Sequence, residues 1–115
     1  MLKLSISIDE AVDVLKLLSD KTRLTIMKVL DSGESCCVCE FVEMFHTSQP
    51  AISQHLRKLK AAGLVEEERK GQWNFYSINK SNTFYPFVQK ILIELPHQNE
   101  KIQELEEKGT RITCC

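Results

Sequence analysis

The stretch that decides the fold is "TSQPAISQHLRKLKAAGLVEEERKGQWNFYSI", residues 47–78. Its first half predicts a helix, because Ser48 is a suitable N-cap and Pro50 falls in the first turn, where the missing N–H costs nothing. Gly63 followed by Leu64 predicts a Schellman-type end. The helix carries one apolar stripe at helical spacing: Ile52, Leu56 and Leu59.

A hairpin is predicted immediately afterwards, over about residues 64–78. This segment is rich in β-branched and aromatic residues on both sides of "KGQ", a turn sequence. Upstream, Val38, Phe41, Val42 and Phe45 predict another helix, and the short turn "HTSQ" separates it from the first. Two helices joined by a tight turn and followed by a hairpin are typical of a winged helix-turn-helix.

The remaining chain adds helices on both sides of this unit. Residues 8–18 and 20–30 have helical apolar spacing, with Ser19 or Asp20 as cap of the second helix. A further helix is expected over about residues 83–95, and Pro96 separates it from a charged tail, residues 96–115, which is expected to be helical as far as Gly109. We therefore predict a single domain over residues 1–115, mainly α in an α+β fold. The N-terminal helix and the 83–95 helix should form a dimer surface, because so short a chain cannot bury both stripes alone.

Composition excludes some function classes. The 115 residues are 43% hydrophobic and 27% charged, with a net charge of −1. No apolar run approaches the roughly 20 residues that span a bilayer, and the start has no signal-peptide pattern. We therefore expect a cytoplasmic protein with reduced thiols, no membrane partner and no enzymatic activity, since no C-x-x-C on a βαβ unit and no phosphate loop is present. A small thiol oxidoreductase and a pure protein-interaction module are the rival classes.

The charge distribution favours DNA binding. Residues 48–62 contain Arg57, Lys58 and Lys60 and no acid. With Ile52 toward the core, Gln54 and Arg57 point nearly opposite, whereas His55 is expected to be half-buried. Arg and Gln suit base edges, and the helix N-terminus suits a phosphate, although any surface helix also turns polar residues outward. The candidate DNA-binding residues are Ser48, Gln49, Ser53, Gln54, Arg57, Lys58, Arg69 and Lys70.

Three of the five cysteines lie in "ESCCVCEF", residues 34–41. If Ser35 caps the helix, Cys36, Cys37 and Cys39 fall in its first turn, where the helix dipole favours thiolates, the ligands that select soft ions. Cys37 and Cys39 would point about 200° apart on an ideal helix, so one ion can join them only if this turn distorts. Inert packing and a thiol redox switch are the alternatives, and a structural zinc site fits the spacing poorly.

Together, "LSDKTRLTIMKVL", "CVCEF" and residues 47–78 resemble the ArsR/SmtB family of metal-responsive repressors, over about residues 17–78. The resemblance implies a homodimer that occupies double-stranded operator DNA and leaves it when metal binds. In arsenic-sensing members, a Cys-Val-Cys at this position holds arsenite or antimonite through three thiolates, and Cys37, Val38 and Cys39 match it. A third Cys common in that pattern is replaced here by Val42.

The third ligand therefore stays open among Cys36, Cys114 and Cys115, from either subunit. Cd(II) or Pb(II) sensing is the nearest competitor, although that subgroup also draws on N-terminal cysteines and residues 1–35 contain none. Zinc sensing through the last helix needs Asp and His pairs that are missing from residues 79–95.

Overall fold

The computed structural model describes residues 6–33 and 35–108. Six helices and a three-stranded antiparallel sheet of order β1-β3-β2 make up this part of the chain. The predicted fold class, mainly helical with a small β component, is confirmed. In chain order the elements are α1 Ile8–Leu18, α2 Lys21–Asp31, β1 Cys36–Cys37, α3 Val38–Phe45, α4 Gln49–Ala61, β2 Val65–Lys70, β3 Trp73–Ile78, α5 Tyr85–Leu92 and α6 Asn99–Lys108.

Local sequence explains where the first two helices begin. Ser7 caps α1 in a capping box, in which its Oγ accepts the Glu10 N–H at 3.1 Å and the Glu10 carboxylate accepts the Ser7 N–H at 2.8 Å. Asp20, rather than Ser19, caps α2, and its carboxylate accepts the Arg23 N–H at 3.0 Å. The Glu10 and Arg23 N–H groups are among those that a helix itself leaves without a partner.

The helix α4 has the predicted apolar stripe and the predicted end. Its three stripe residues, Ile52, Leu56 and Leu59, are fully buried. At the C-terminus the Leu64 N–H donates to the Leu59 carbonyl at 3.0 Å, and the Gly63 N–H donates to the Lys60 carbonyl at 2.9 Å. Gly63 has a φ of +79°, the left-handed conformation that this Schellman motif requires. This end directs the chain into the hairpin.

Strands β2 and β3 form the hairpin that we call the wing. Lys70 pairs with Trp73 and Val65 with Ile78, so the two-residue turn is Gly71-Gln72. Gly71 has a φ of +65°, as such tight turns demand. The inner end of the wing is anchored in the core through Val65 and Ile78.

The N-terminus of α3 differs from the sequence expectation. The helix begins at Val38, with Cys37 rather than Ser35 as N-cap, and Cys36–Cys37 form the short strand β1. This strand pairs Cys36 with Tyr76 and Cys37 with Phe75 of β3. The expectation that Cys36 and Cys37 lie in the first helical turn is therefore wrong. Long-range pairing with the wing holds both residues extended, which local sequence does not encode.

The C-terminal helices also differ in detail. The helix expected over about residues 83–95 is regular only from Tyr85 to Leu92, and residues 93–95 follow in tighter turns, with Leu95 N–H donating to the Leu92 carbonyl at 3.0 Å. Pro96 explains this end, since proline disfavours a helical residue before it. The charged segment after it forms α6, which packs on α3 by burying Ile102 and Leu105. Within the described ranges, no helix has the length and apolar character needed to cross a bilayer.

Candidate nucleic-acid interface and thiol site

The outer face of α4 carries the predicted base-reading residues. Gln49, Gln54, Arg57 and Lys58 are exposed, whereas Ser53 is half-buried. Ser48 is exposed and caps the helix, its Oγ accepting the Ala51 N–H at 3.3 Å. A helix whose outer face is basic and amide-bearing, and whose inner face is fully buried, suits insertion into a major groove.

The two basic residues at the wing tip are held by local contacts. Arg69 donates from Nε to the Gly71 carbonyl at 2.9 Å, which ties its side chain to the turn. Lys70 places Nζ 5.4 Å from the centre of the Phe75 ring and 4.0 Å from the Glu68 carboxylate. Both side chains are exposed. The wing tip therefore offers positive charge with restricted orientation.

A hydrogen-bonded chain joins α4 to the wing. The Glu67 carboxylate accepts from Lys60 Nζ at 2.7 Å and from the Tyr76 hydroxyl at 3.1 Å. The hydrogen bond from Lys60 holds the pKa of Glu67 below its usual value. Partial burial, followed by the hydrogen bond to Glu67, raises the pKa of Tyr76 to about 12. These hydrogen bonds link α4 to both strands of the wing.

Titration of Tyr76 should be visible in the stability of the protein. The folded state keeps the phenolic proton up to a pKa of about 12, whereas the unfolded chain loses it near its usual value of about 10. The stabilisation is complete below about pH 10 and is lost as the pH rises toward 12. The free energy of unfolding, measured with urea, should fall between about pH 9 and about pH 11. The fall should be smaller for Tyr76→Phe than for the parent chain. Equal declines would contradict the assigned shift.

His55 seats α4 against the start of α2. Its Nδ1 lies 3.1 Å from Arg23 Nη1 and 3.9 Å from the Asp20 carboxylate. Arg23 also donates from Nε to the Leu17 carbonyl at 2.7 Å. The hydrogen bond from the Arg23 backbone, followed by the nearby His55, holds the pKa of Asp20 below its usual value. The prediction that His55 is half-buried is confirmed.

Strand β1 places Cys36 and Cys37 on opposite faces of the sheet. Paired residues share a face and neighbours along a strand alternate. Cys36 therefore lies with Tyr76 on the inner face and belongs to the hydrophobic core. Cys37 lies with Phe75 on the other face; it is also buried, with 1% of its surface exposed. The two neighbouring thiols consequently point apart.

Cys37 is the N-cap of α3 and is bound to Glu40. The Cys37 N–H donates to the Glu40 carboxylate at 2.9 Å, and the Glu40 N–H faces the Cys37 sulfur, so that the two residues form a capping box. Glu40 is fully buried. Sequence reasoning missed this residue. The signal that could have found it is the spacing from Cys37 to Glu40, since a Glu three residues after the cap defines the motif.

A cavity of about 190 Å³ lies between two of the cysteines, the start of α4 and the wing. Cys37 and Cys39 lie on its α3 side, and Gln49, the first residue of α4, lies opposite. The tip of the wing completes the wall, so that α3, α4 and the wing all border the cavity. The lining residues are Cys37, Val38, Cys39, Gln49, Gln72, Trp73 and Asn74.

Comparison with known proteins shows which family the chain belongs to. Residues 20–67 match the family described as bacterial regulatory protein, arsR family. The arsenical resistance operon repressor of Escherichia coli is 32% identical over 90% of this chain and 87% of its own length. The chain belongs to the arsR family. An uncharacterized HTH-type transcriptional regulator of Methanocaldococcus jannaschii is 43% identical over 61% of the chain and 79% of its own length.

Solved structures show the same architecture. Reduced HlyU from Vibrio cholerae superposes with a TM-score of 0.61 at 31% identity, covering 72% of this chain and 85% of that one. The transcriptional repressor PagR of Bacillus anthracis gives a TM-score of 0.63 at 27% identity, covering 76% of this chain and 94% of that one. A solution structure titled as a homodimeric winged helix-turn-helix domain, from Mycobacterium bovis, gives 0.60 at 27% identity over 75% of this chain and 81% of its own. This ArsR-family chain is thus a DNA-binding transcriptional regulator with a winged helix-turn-helix fold.

The thiols of this ArsR-family protein are only partly assembled into a site. Cys37 and Cys39 share a cavity, but no three His, Cys, Asp or Glu side chains among residues 6–33 and 35–108 are grouped closely enough to hold a metal ion. The structure records Cys39 as disulfide-bonded and Cys36 and Cys37 as thiols. Reduction is therefore a precondition for any site that uses Cys39. Cys114 and Cys115 lie outside the described residues.

Proposed function

We propose that this ArsR-family regulator is a repressor of an arsenic-resistance operon, released from its operator when arsenite or antimonite binds cysteine thiolates. One observation carries the proposal: Cys37 and Cys39 line the same cavity as Gln49 at the N-terminus of α4. The names of several relatives, arsenical resistance operon repressors of Bacillus subtilis and Escherichia coli, point to the same inducer. The proposed site of action is the cytoplasm, where thiols stay reduced.

The donor set suits a soft trivalent ion. Thiolates select soft ions over Mg²⁺ or Ca²⁺. Each bond that forms between arsenic and sulfur replaces a hydroxyl group, so three thiols and As(OH)₃ give a tris-thiolate and three waters, with no change of oxidation state. Cys37 and Cys39 supply two of the sulfurs. Burial of Cys36 on the core face argues against it as the third, which leaves Cys114 or Cys115 as the preferred source.

Release follows from the position of the site between two DNA-contacting elements. Cys37 ends the strand that pairs with the wing and caps the helix that precedes α4. An ion that draws Cys37 and Cys39 together must displace the start of α3, the wing strand or both. The proposed DNA contacts lie next to these elements, on α4, which packs on α3, and on β2 of the wing. They are Ser48, Gln49, Ser53, Gln54, Arg57, Lys58, Arg69 and Lys70.

We propose a homodimer formed through α1 and the end of α5. Large apolar side chains are exposed there, and exposed apolar patches are typical of protein–protein interfaces. The exposed residues are Ile8, Val12, Leu15 and Ile93. A two-fold dimer would set two copies of α4 about 34 Å apart, the spacing of successive major grooves on one side of the duplex.

The substitution Leu15→Glu should convert the dimer into a monomer and weaken operator binding. Leu15 is 47% exposed on α1, and burying a charge in an apolar interface without a partner is costly. Sedimentation velocity should show the mass halved. The control is Lys16→Glu, which places the same acid on an exposed neighbouring position of α1. A monomeric parent chain, or an unchanged mass for Leu15→Glu, would place the interface elsewhere.

A thiol-oxidation switch is the second candidate, because the structure records Cys39 in a disulfide. Cd(II) or Pb(II) sensing is the third. One experiment separates them: reduced protein bound to its promoter fragment is titrated in parallel with arsenite, antimonite, cadmium, lead, zinc and peroxide, with release followed by fluorescence anisotropy. The proposal expects release at the lowest concentration with arsenite or antimonite. Release by peroxide alone would replace ion sensing with redox sensing.

A further inference from the structure

We propose that Glu40 is a positioning residue for the sensor, and that the Cys37 sulfur serves both as the N-cap of α3 and as an ion ligand. The two uses exclude each other, so the capping box would be the switch itself. This inference rests on the proposed function, since it specifies how ion capture is converted into a change of α3.

The burial of Glu40 is the first observation. A carboxylate is seldom fully buried, because removing it from water is expensive unless hydrogen bonds compensate. Glu40 is 0% exposed and accepts the Cys37 N–H at 2.9 Å. Its place in the first turn of α3 also favours negative charge through the helix dipole. The carboxylate therefore fixes the backbone of Cys37 at the point where strand β1 becomes helix.

The second observation is the role of sulfur in the cap. Cys37 has φ −93° and ψ 169°, the extended conformation of an N-cap residue, and the Glu40 N–H is directed at its side chain. Cysteine is a weak hydrogen-bond acceptor, unlike the serine or aspartate usual at this position. The hydrogen bond from the Glu40 N–H to the Cys37 sulfur is consequently weak, and a stronger bond between this sulfur and a soft ion can replace it.

Ion binding should then uncap α3. When Cys37 turns its sulfur toward an ion shared with Cys39, the Glu40 N–H loses its acceptor and the reciprocal bond is strained. Helix α3 packs directly on α4, so a shift of its first turn reaches the DNA-reading helix. The capped state binds operator and the uncapped state binds the ion, and each ligand stabilises its own state.

Glu40→Ala should therefore move two affinities in opposite directions. Loss of the box disfavours the capped state, so the ratio of arsenite affinity to operator affinity rises by about fivefold in total, shared between a gain in arsenite affinity of the free protein and a loss in operator affinity. This ratio corresponds to ~1 kcal/mol per cap when 1.4 kcal/mol is tenfold. Trp73 is the only tryptophan in the chain and lines the cavity, so its fluorescence reports arsenite binding directly, and anisotropy reports operator binding.

Two further variants keep the test decisive. Glu40→Gln retains an oxygen acceptor at the same reach and should leave both affinities within about twofold of the parent chain. Glu40→Asp is shorter by one methylene, preserves more of the fold and should reproduce the direction of Glu40→Ala. If the Ala and Asp variants weaken both affinities together, or change neither, Glu40 is only structural and the inference is overturned. If the parent chain itself neither binds arsenite nor releases DNA, the proposed function fails as well.

Discussion

Cys37→Ser should leave operator binding intact and abolish release by arsenite. Serine is a better N-cap than cysteine, so the capping box with Glu40 and the pairing of β1 with the wing both survive. The hydroxyl is not a soft ligand, so the ion loses one of its two sulfurs in the cavity. Coupling between ligands of this kind typically amounts to 5- to 150-fold in affinity, and in the variant this ratio should fall to about one. The measurement is operator affinity with and without saturating arsenite, on reduced protein.

The matched control is Cys36→Ala. Cys36 is the neighbouring thiol, but it lies on the core face of the sheet, so its removal should leave the response to arsenite in place. A small loss of stability is expected from the vacated volume. If Cys36→Ala abolishes release and Cys37→Ser does not, the two thiols have been assigned to the wrong roles.

Arg57→Ala should weaken operator binding by about 1–3 kcal/mol and relax the preference for operator over unrelated duplex. Arg57 is exposed on the face of α4 opposite the buried Ile52 stripe, and a guanidinium can bond a guanine edge through two hydrogen bonds. The measurement is a pair of anisotropy titrations, one with the operator and one with a scrambled duplex at the same salt concentration.

Lys80→Ala is the control for lost positive charge, because Lys80 is exposed in the loop after β3. This substitution should lower the affinity for the operator and for the scrambled duplex equally, and only slightly. If Arg57→Ala weakens binding to both duplexes equally, Arg57 contacts a phosphate rather than a base. If it weakens neither, the assignment of α4 to the major groove is contradicted.

The helix-turn-helix and the wing could be predicted because their signals are local. Ser48, Pro50 and Gly63 mark the two ends of α4, and the Ile52 stripe fixes its buried face. The wing follows from β-rich sequence around Gly71, where the turn needs a positive φ. Each of these features depends on residues a few positions apart, so tertiary packing had little opportunity to override them.

The start of α3 is predicted two residues too early when the serine preference is weighed without the spacing from Cys37 to Glu40 and without the distant strand pairing. Ser35 and Cys37 are both candidates for the N-cap of α3, and serine has the stronger intrinsic preference for that position. Two factors favour Cys37 in the folded chain: Glu40 lies at capping-box spacing, and β1 finds its partners Tyr76 and Phe75 in the distant wing. A two-residue strand has no periodicity of its own. The cavity beside Cys37 was unpredictable for the same reason, since its walls come from α3, α4 and the wing.

The packing of α6 shows a further limit. Its sequence is strongly charged, yet Ile102 and Leu105 are buried against the core, and Lys101 lies 5.9 Å from the centre of the Phe45 ring of α3. Two apolar residues in ten give a narrow stripe that a solvent-exposed helix could equally carry. The docking of α6 depends on the apolar surface that α3 leaves uncovered, and this surface exists only in the folded chain.

Capture of a thiophilic ion by Cys37 and Cys39 should lower the affinity of the protein for its operator. The most direct test is the arsenite affinity of reduced protein, measured by Trp73 fluorescence both free and saturated with operator. Linkage requires that operator weaken arsenite binding by the same factor as arsenite weakens operator binding, and the account predicts a factor between about 5 and 150. Equal arsenite affinities in the two states would mean that the ion and the DNA do not communicate.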